Sequence, residues 1–180
     1  MWVAVAGIVV VAALAAYYLA LVREPPGVVE ERPALGRIPE GVRTKSAVLY
    51  FAHPDGEHLV REVREIVAGG GVGAEARRVV EALVRGPLGE GGPTFPPETT
   101  VESMFLDAEG CLYVNVGREL RAYHWGGTSG EILTVRSLVR TLAANFPEVR
   151  CVWLLEEGHP LETLGGHLDL GRALWVDDWR

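Results

Sequence analysis

The sequence predicts an α+β domain, a mainly antiparallel sheet with two principal helices packed on one face, preceded by an N-terminal transmembrane helix. Three observations predict it. Apolar runs come in pairs joined by short turn signals, at 45–67 and 101–116, the pattern of hairpins rather than crossovers. Two segments, 74–85 and 128–146, repeat apolar residues at helical spacing. The chain also opens with 21 residues, Trp2 to Val22, that carry no charge.

At roughly 1.5 Å per residue that opening run spans roughly 30 Å, enough to cross a bilayer. A small-x-small triplet, Ala13-Leu14-Ala15, would suit signal cleavage. The apolar run continues past it to Val22 and no basic stretch precedes it, so a retained anchor is expected at 2–22. Arg23, Arg32, Arg37 and Arg43 all follow the helix, which by charge alone leans towards a cytoplasmic domain; that rule weakens for long segments. Residues 23–44 hold four prolines and three glycines and read as a tether. The remainder, 45–180, is the domain.

Composition narrows the function. The net charge of −7 lies in the domain, since residues 1–44 carry four Arg and four Glu, and this argues against a nucleic-acid partner. The two cysteines, Cys111 and Cys151, form no CxxC, so neither a zinc ribbon nor a thioredoxin-type site is available.

Within the domain, Lys45 to His53 is apolar on both faces and suits a central strand. Pro54-Asp55-Gly56 turns it into a second strand ending at Val67. Gly69-Gly70-Gly71 breaks the chain before the first helix, whose face is Ala76, Val79, Val80, Leu83 and Val84; Gly86-Pro87 stops it. Leu88 to Glu98 reads as a surface loop, because its glycines lack the Lys-Ser/Thr and following helix of a phosphate cradle. Strands at Val101–Leu106 and Leu112–Val116 follow, with Leu112, Val114 and Val116 facing the core. Arg118 to Tyr123 suits a short helical segment. Thr128 and Glu131 have capping-box spacing and open the long helix. Ile132, Val135, Val139, Leu142 and Phe146, with Leu138 and Ala143, form its buried stripe, and Pro147 ends it. Val149 to Leu155 reads as an interior strand. Glu157-Gly158 turns the chain into a short strand at Leu161–Leu164, and Gly165-Gly166 turns it again. Arg172 to Arg180 adds an edge strand or lies along the surface.

Several short stretches occur together in a fixed order: Val48-Leu49-Tyr50-Phe51, Glu81 to Pro87, Leu112-x-Val114-x-Val116, Ser129-Gly130-Glu131, Ser137 to Leu142, Phe146-Pro147-Glu148-Val149 and Glu162 to Leu170. In these the chain resembles the Germane (GerMN) domain of bacterial sporulation and germination proteins, over about residues 45–175. The resemblance implies a non-enzymatic module outside the cytoplasmic membrane, tethered by a helix or a lipid, that serves envelope assembly. It also implies a fold similar to ring-building modules. No lipobox cysteine stands near the N-terminus, so the helix would be the anchor, and the resemblance tips the expected orientation to the outside.

No catalytic residue, cofactor site or metal site is expected. The histidines His53, His58, His124, His159 and His167 show no fixed-geometry motif, and a zinc set from His159, His167, Asp169 and Glu162 would need two separate turns to meet. Serines 46, 103, 129 and 137 lack a nucleophile elbow. Gly165, Gly166, His167 and Asp169 read as a tight turn, and as the tentative interaction turn if the domain binds a peptide or glycan. Cys111 and Cys151 each begin a strand. They pair if those strands are neighbours and the domain is exported; otherwise they are two small buried thiols. The expected partners are the membrane, through 2–22, and envelope proteins or cell-wall components, with self-association as one form of contact. The alternative is a ligand-binding or sensor domain for a cell-wall fragment or small molecule. A deep polar pocket would favour the latter, an exposed apolar sheet face the former.

Overall fold

The computed structural model describes residues 41–179. The transmembrane segment expected at 2–22 and most of the tether lie outside the described residues; among the described residues no helix is long and apolar enough to cross a membrane.

The chain opens with β1 (Thr44–Ala52) and β2 (Leu59–Val67), antiparallel and paired over all nine residues of each. Alternation sets the hairpin's orientation: Ala47, Leu49 and Phe51 are buried, and Val48 and Tyr50 between them are half-buried. The first strand is not central. The hairpin is a sheet of its own, and the far edge of β1 is met by a helix.

Helix α1 (Gly71–Val84) buries Ala76, Val79, Val80 and Leu83 at helical spacing. Fully burying a side chain such as Leu83 contributes on the order of 1.5–3 kcal/mol. The helix ends on Arg64 of β2, whose Nη1 and Nη2 donate to the carbonyls of Ala82 at 3.0 Å and Gly86 at 2.6 Å, while Glu62 neutralises the guanidinium. The loop that follows is not all surface. Thr94, Phe95 and Pro96 are buried, and Phe95 is part of the hydrophobic core.

The second sheet has five strands. β3 (Val101–Leu106) and β4 (Cys111–Val116) form the expected hairpin around Asp107–Gly110, with Leu112, Val114 and Val116 fully buried. After β4 come the short helix α2 (Glu119–Ala122) and the long helix α3 (Thr128–Asn145). They form a crossover, so β5 (Cys151–Glu156) lies parallel to β4. The all-hairpin expectation fails at this one pair. Two short strands share the other edge of β5: β6 (His159–Pro160) and β7 (Leu174–Trp175), both antiparallel to it. The β5–β6 turn is Glu157-Gly158, both at positive φ, the two-residue hairpin that follows strand twist. Leu161–Leu164, expected as a strand, is irregular; Leu161 and Leu164 are buried as anchors instead. A 3₁₀ turn, Val176–Trp179, closes the described chain.

Helix α3 departs most from its expected pattern. Val135, Leu138, Val139 and Leu142 are buried, but Ile132 is exposed. A second, polar face is buried too: Glu131, Thr134, Ser137 and Thr141. Its lower half satisfies β1. Tyr50 N donates to Thr141 Oγ1 (3.1 Å) and Ser137 Oγ donates to Tyr50 O (2.6 Å). One turn on, Val48 N donates to Asn145 Oδ1 (2.9 Å) and Asn145 Nδ2 donates to Val48 O (2.6 Å). Small polar side chains at i, i+4 and i+8 thus stand in for a missing strand.

Candidate functional site

The first turn of α3 holds the most unusual group in the domain. Glu131 is fully buried, yet no capping box forms: the N-cap is Gly127 and makes no side-chain cap bond. The carboxylate points instead into the loop after β6. Oε1 accepts the His167 ring Nδ1–H at 2.7 Å and the His167 backbone N–H at 3.2 Å. Oε2 accepts the Thr163 hydroxyl at 3.1 Å and the Leu168 N–H at 3.3 Å. A carboxylate only accepts, so His167 carries its proton on Nδ1. Burial pushes the Glu131 pKa up, but the His167 ring, the Gly165 and Leu168 backbones and the Thr163 hydroxyl more than reverse this, bringing it down to about 2.

The Gly-Gly-His turn is therefore a clasp on Glu131. Gly165 is there because of crowding: a Cβ would lie 2.9 Å from Glu131 Oε1 and 3.3 Å from Gly126 Cα. Asp169 is not part of the clasp. It is exposed, its Oδ1 accepting the Gly171 N–H at 3.1 Å. Both lone-pair sets of Glu131 are engaged within the fold, which suits it to hold a loop and not to take a proton from a substrate.

A second polar chain runs below it. His124 Nδ1 accepts the Gly126 N–H at 3.0 Å, so its Nε2–H donates to Thr134 Oγ1 at 2.9 Å, and the Thr134 hydroxyl donates to Thr94 O at 2.7 Å. Burial lowers the His124 pKa, favouring the neutral ring, and the nearby Glu131 charge opposes this. Thr94 Oγ1 lies 2.7 Å from Ser137 Oγ and continues the chain to β1. His53 and His58 meet Asp55 on the β1–β2 turn, while His159 lines a cleft of about 340 Å³ with Arg121, Glu156 and Glu162. His159 and His167 thus belong to different clusters, and among the described residues no group of three or more His, Cys, Asp or Glu could hold a metal.

The second sheet supplies a surface that sequence reading missed. Its inner face is core. On the outer face Phe105, Tyr113 and Trp153 sit in register across β3, β4 and β5, with successive ring centroids 6.4 Å apart and the last two rings within 5° of parallel. Phe105 is 63% exposed and Trp175, on β7, is 53% exposed. Cys111 and Cys151 are directly paired across β4 and β5, their Cα atoms 4.6 Å apart, and the structure joins them in a disulfide beside Trp175. The signal in sequence was the odd-numbered set 105, 113, 153 and 175, each aromatic, but only the parallel β4–β5 pairing brings its halves together.

These features define an α+β module built around a clasped loop and an open aromatic sheet face. The chain belongs to the Germane family, described as sporulation and spore germination, whose model matches residues 48–162. No curated protein sequence matches it. Solved structures share the fold, among them the following three. The first GerMN domain of the sporulation protein GerM from Bacillus subtilis matches with TM-score 0.62 at 22% identity, over 75% of this chain and 100% of that one. The tandem GerMN domains of the same protein match with TM-score 0.62 at 20% identity, over 76% of this chain and 48% of that one. A candidate lipoprotein from Clostridium perfringens matches with TM-score 0.55 at 21% identity, over 75% of this chain and 89% of that one.

Proposed function

We propose that this protein is a membrane-anchored, extracytoplasmic and non-catalytic module that works by contact with envelope proteins or cell-wall components, self-association included. The observation that carries this is the outer face of the five-stranded sheet. A soluble α+β domain normally turns polar side chains outward from such a sheet, since solvent-facing positions alternate with core-facing ones. Here Phe105, Tyr113, Trp153 and Trp175 occupy them, and aromatic residues at the centre of a surface patch are the side chains that dominate protein contacts. The family's description and the relatives' sporulation and lipoprotein names support an envelope setting. The Cys111–Cys151 disulfide supports the outside, where such bonds persist.

The test has two readings in one strain. Protease added to intact cells is expected to degrade the domain without lysis, and protection until lysis would overturn the placement. A photoreactive side chain at position 105 is expected to crosslink an envelope component, and one at exposed Arg77 of α1 is not; equal crosslinking from both would overturn the face as the contact surface.

A further inference from the structure

The far edge of β2 is open. Val48 and Tyr50 turn their N–H and C=O groups to side chains of α3, and Ala52 turns its own to Gly92. Val48↔Val63, Tyr50↔Arg61 and Ala52↔Leu59 are therefore the non-hydrogen-bonded pairs of the hairpin, in which both residues direct their backbone groups away from each other. In the same two-residue phase Arg61, Val63 and Glu65 direct N–H and C=O outward from β2, where none of them bonds to another element among the described residues. All three residues are exposed, Val63 at 48%. Free edges are normally blunted by shortness, proline or a bulge. β2 has nine residues, LVREVREIV, without proline or glycine, and pairs with β1 without a register shift.

We propose that a second copy of this chain adds to this edge, β2 against β2, making a four-stranded antiparallel sheet about a two-fold axis at Val63. Charge selects both the occupant and the register. Arg61 and Glu65 stand symmetrically about Val63. With the axis there, Val63 faces its own counterpart and each Arg61 faces a Glu65 across the junction, so both cross-strand pairs join opposite charges. Moving the axis by one residue sets each charge opposite an apolar residue. Moving it by two sets Arg61 against Arg61, or Glu65 against Glu65, and parallel in-register pairing does both. An unrelated extended strand could take the same backbone bonds but would lack this match. In the favoured register each outward residue exchanges both backbone bonds with the residue opposite, and Val48 and Val63 of both copies form one apolar row. Pairing ends by itself at Val67, whose carbonyl already accepts the Arg78 Nε–H at 2.9 Å. The inference gives the self-association included in the reading above a definite surface, and it uses no part of the aromatic sheet face.

The test is sedimentation equilibrium of the full 180-residue chain in density-matched detergent. The parent should show a monomer–dimer equilibrium. Arg61→Glu and Glu65→Arg each turn two attractive pairs into two repulsive ones, and each should weaken the dimer at least about tenfold. The double variant Arg61→Glu with Glu65→Arg should recover the parent's constant. So should an equimolar mixture of the two single variants, whose charges match only each other. Arg77→Glu, at an exposed position on α1, should leave the constant unchanged. In cells, a photoreactive side chain at position 63 should join β2 of one copy to β2 of another. A parent that stays monomeric, equal constants for the parent and both single variants, or no recovery in either the double variant or the mixture with melting temperatures intact would each overturn the inference. Capture of a different protein alone from position 63 would do the same. None of these results alters the crosslink expected from position 105, so the two surfaces fail separately.

Discussion

Glu131 is a carboxylate kept from water and held ionised by donors from a loop 36 residues away. Truncating it leaves four donors facing an empty space. Glu131→Ala should cost about 3 kcal/mol, within the range for breaking a buried charged network; urea unfolding at neutral pH measures it. His167→Ala keeps the backbone donors and should cost about 1 kcal/mol. The pH dependence has a definite sign. The folded pKa of about 2 lies below the usual 4.5, so Glu131 contributes stability that is fully present above about 4.5 and is lost as pH falls towards 2. The urea midpoint of the parent should fall across that window, and that of Glu131→Gln should fall less steeply. Thr128 and Glu131 do have capping-box spacing, which is why the sequence points to a cap. Two facts hide the other role: the partner loop is distant in sequence, and Gly127 already starts the helix. His167 is legible only as a turn residue, because nothing local names the acid it holds.

Helix α3 has two buried faces made of different chemistry, and only one is visible to a search for apolar periodicity. Ser137, Thr141 and Asn145 are not among the apolar residues of the stripe that the sequence shows. Ser137 and Thr141 are buried, and Asn145 half-buried, because β1 lies beside them with the edge that β2 leaves free. Thr141→Val preserves shape and removes the acceptor of Tyr50 N–H. It should cost about 1–3 kcal/mol, the desolvation penalty of an unmade bond, and Tyr50 amide exchange should accelerate more than that of Leu49, whose partner is Glu62 on β2. The same element explains the parallel pair. The chain between β4 and β5 holds a helix of 18 residues, long enough for a crossover, and the length was legible where the direction of β5 was not.

For the molecule as a whole, element type and order were largely legible, because hairpin turns and helix stripes are local signals. The division into two sheets and the outer aromatic row were not, since both depend on which strands lie side by side. The disulfide joins these levels. It closes 40 residues that contain both α2 and α3, so it ties the crossover to the sheet. Cys111→Ser with Cys151→Ser should cost about 3–4 kcal/mol on the loop-entropy scale, measured by the melting transition of the oxidised parent against the double variant. Alkylation mass spectrometry on protein from intact cells, with and without reductant, should find both thiols protected until reduction.

Residues 41–43 lead directly into β1, and that strand is bonded along both edges: to β2 for nine residues and to side chains of α3 at Val48 and Tyr50. A pull on Thr44 directed along the strand axis would load both sets of bonds together. Bonds loaded in that direction share the force and must fail together, whereas a hairpin pulled from its open end parts one rung at a time. Loaded along that axis, the first strand would resist through both of its edges at once.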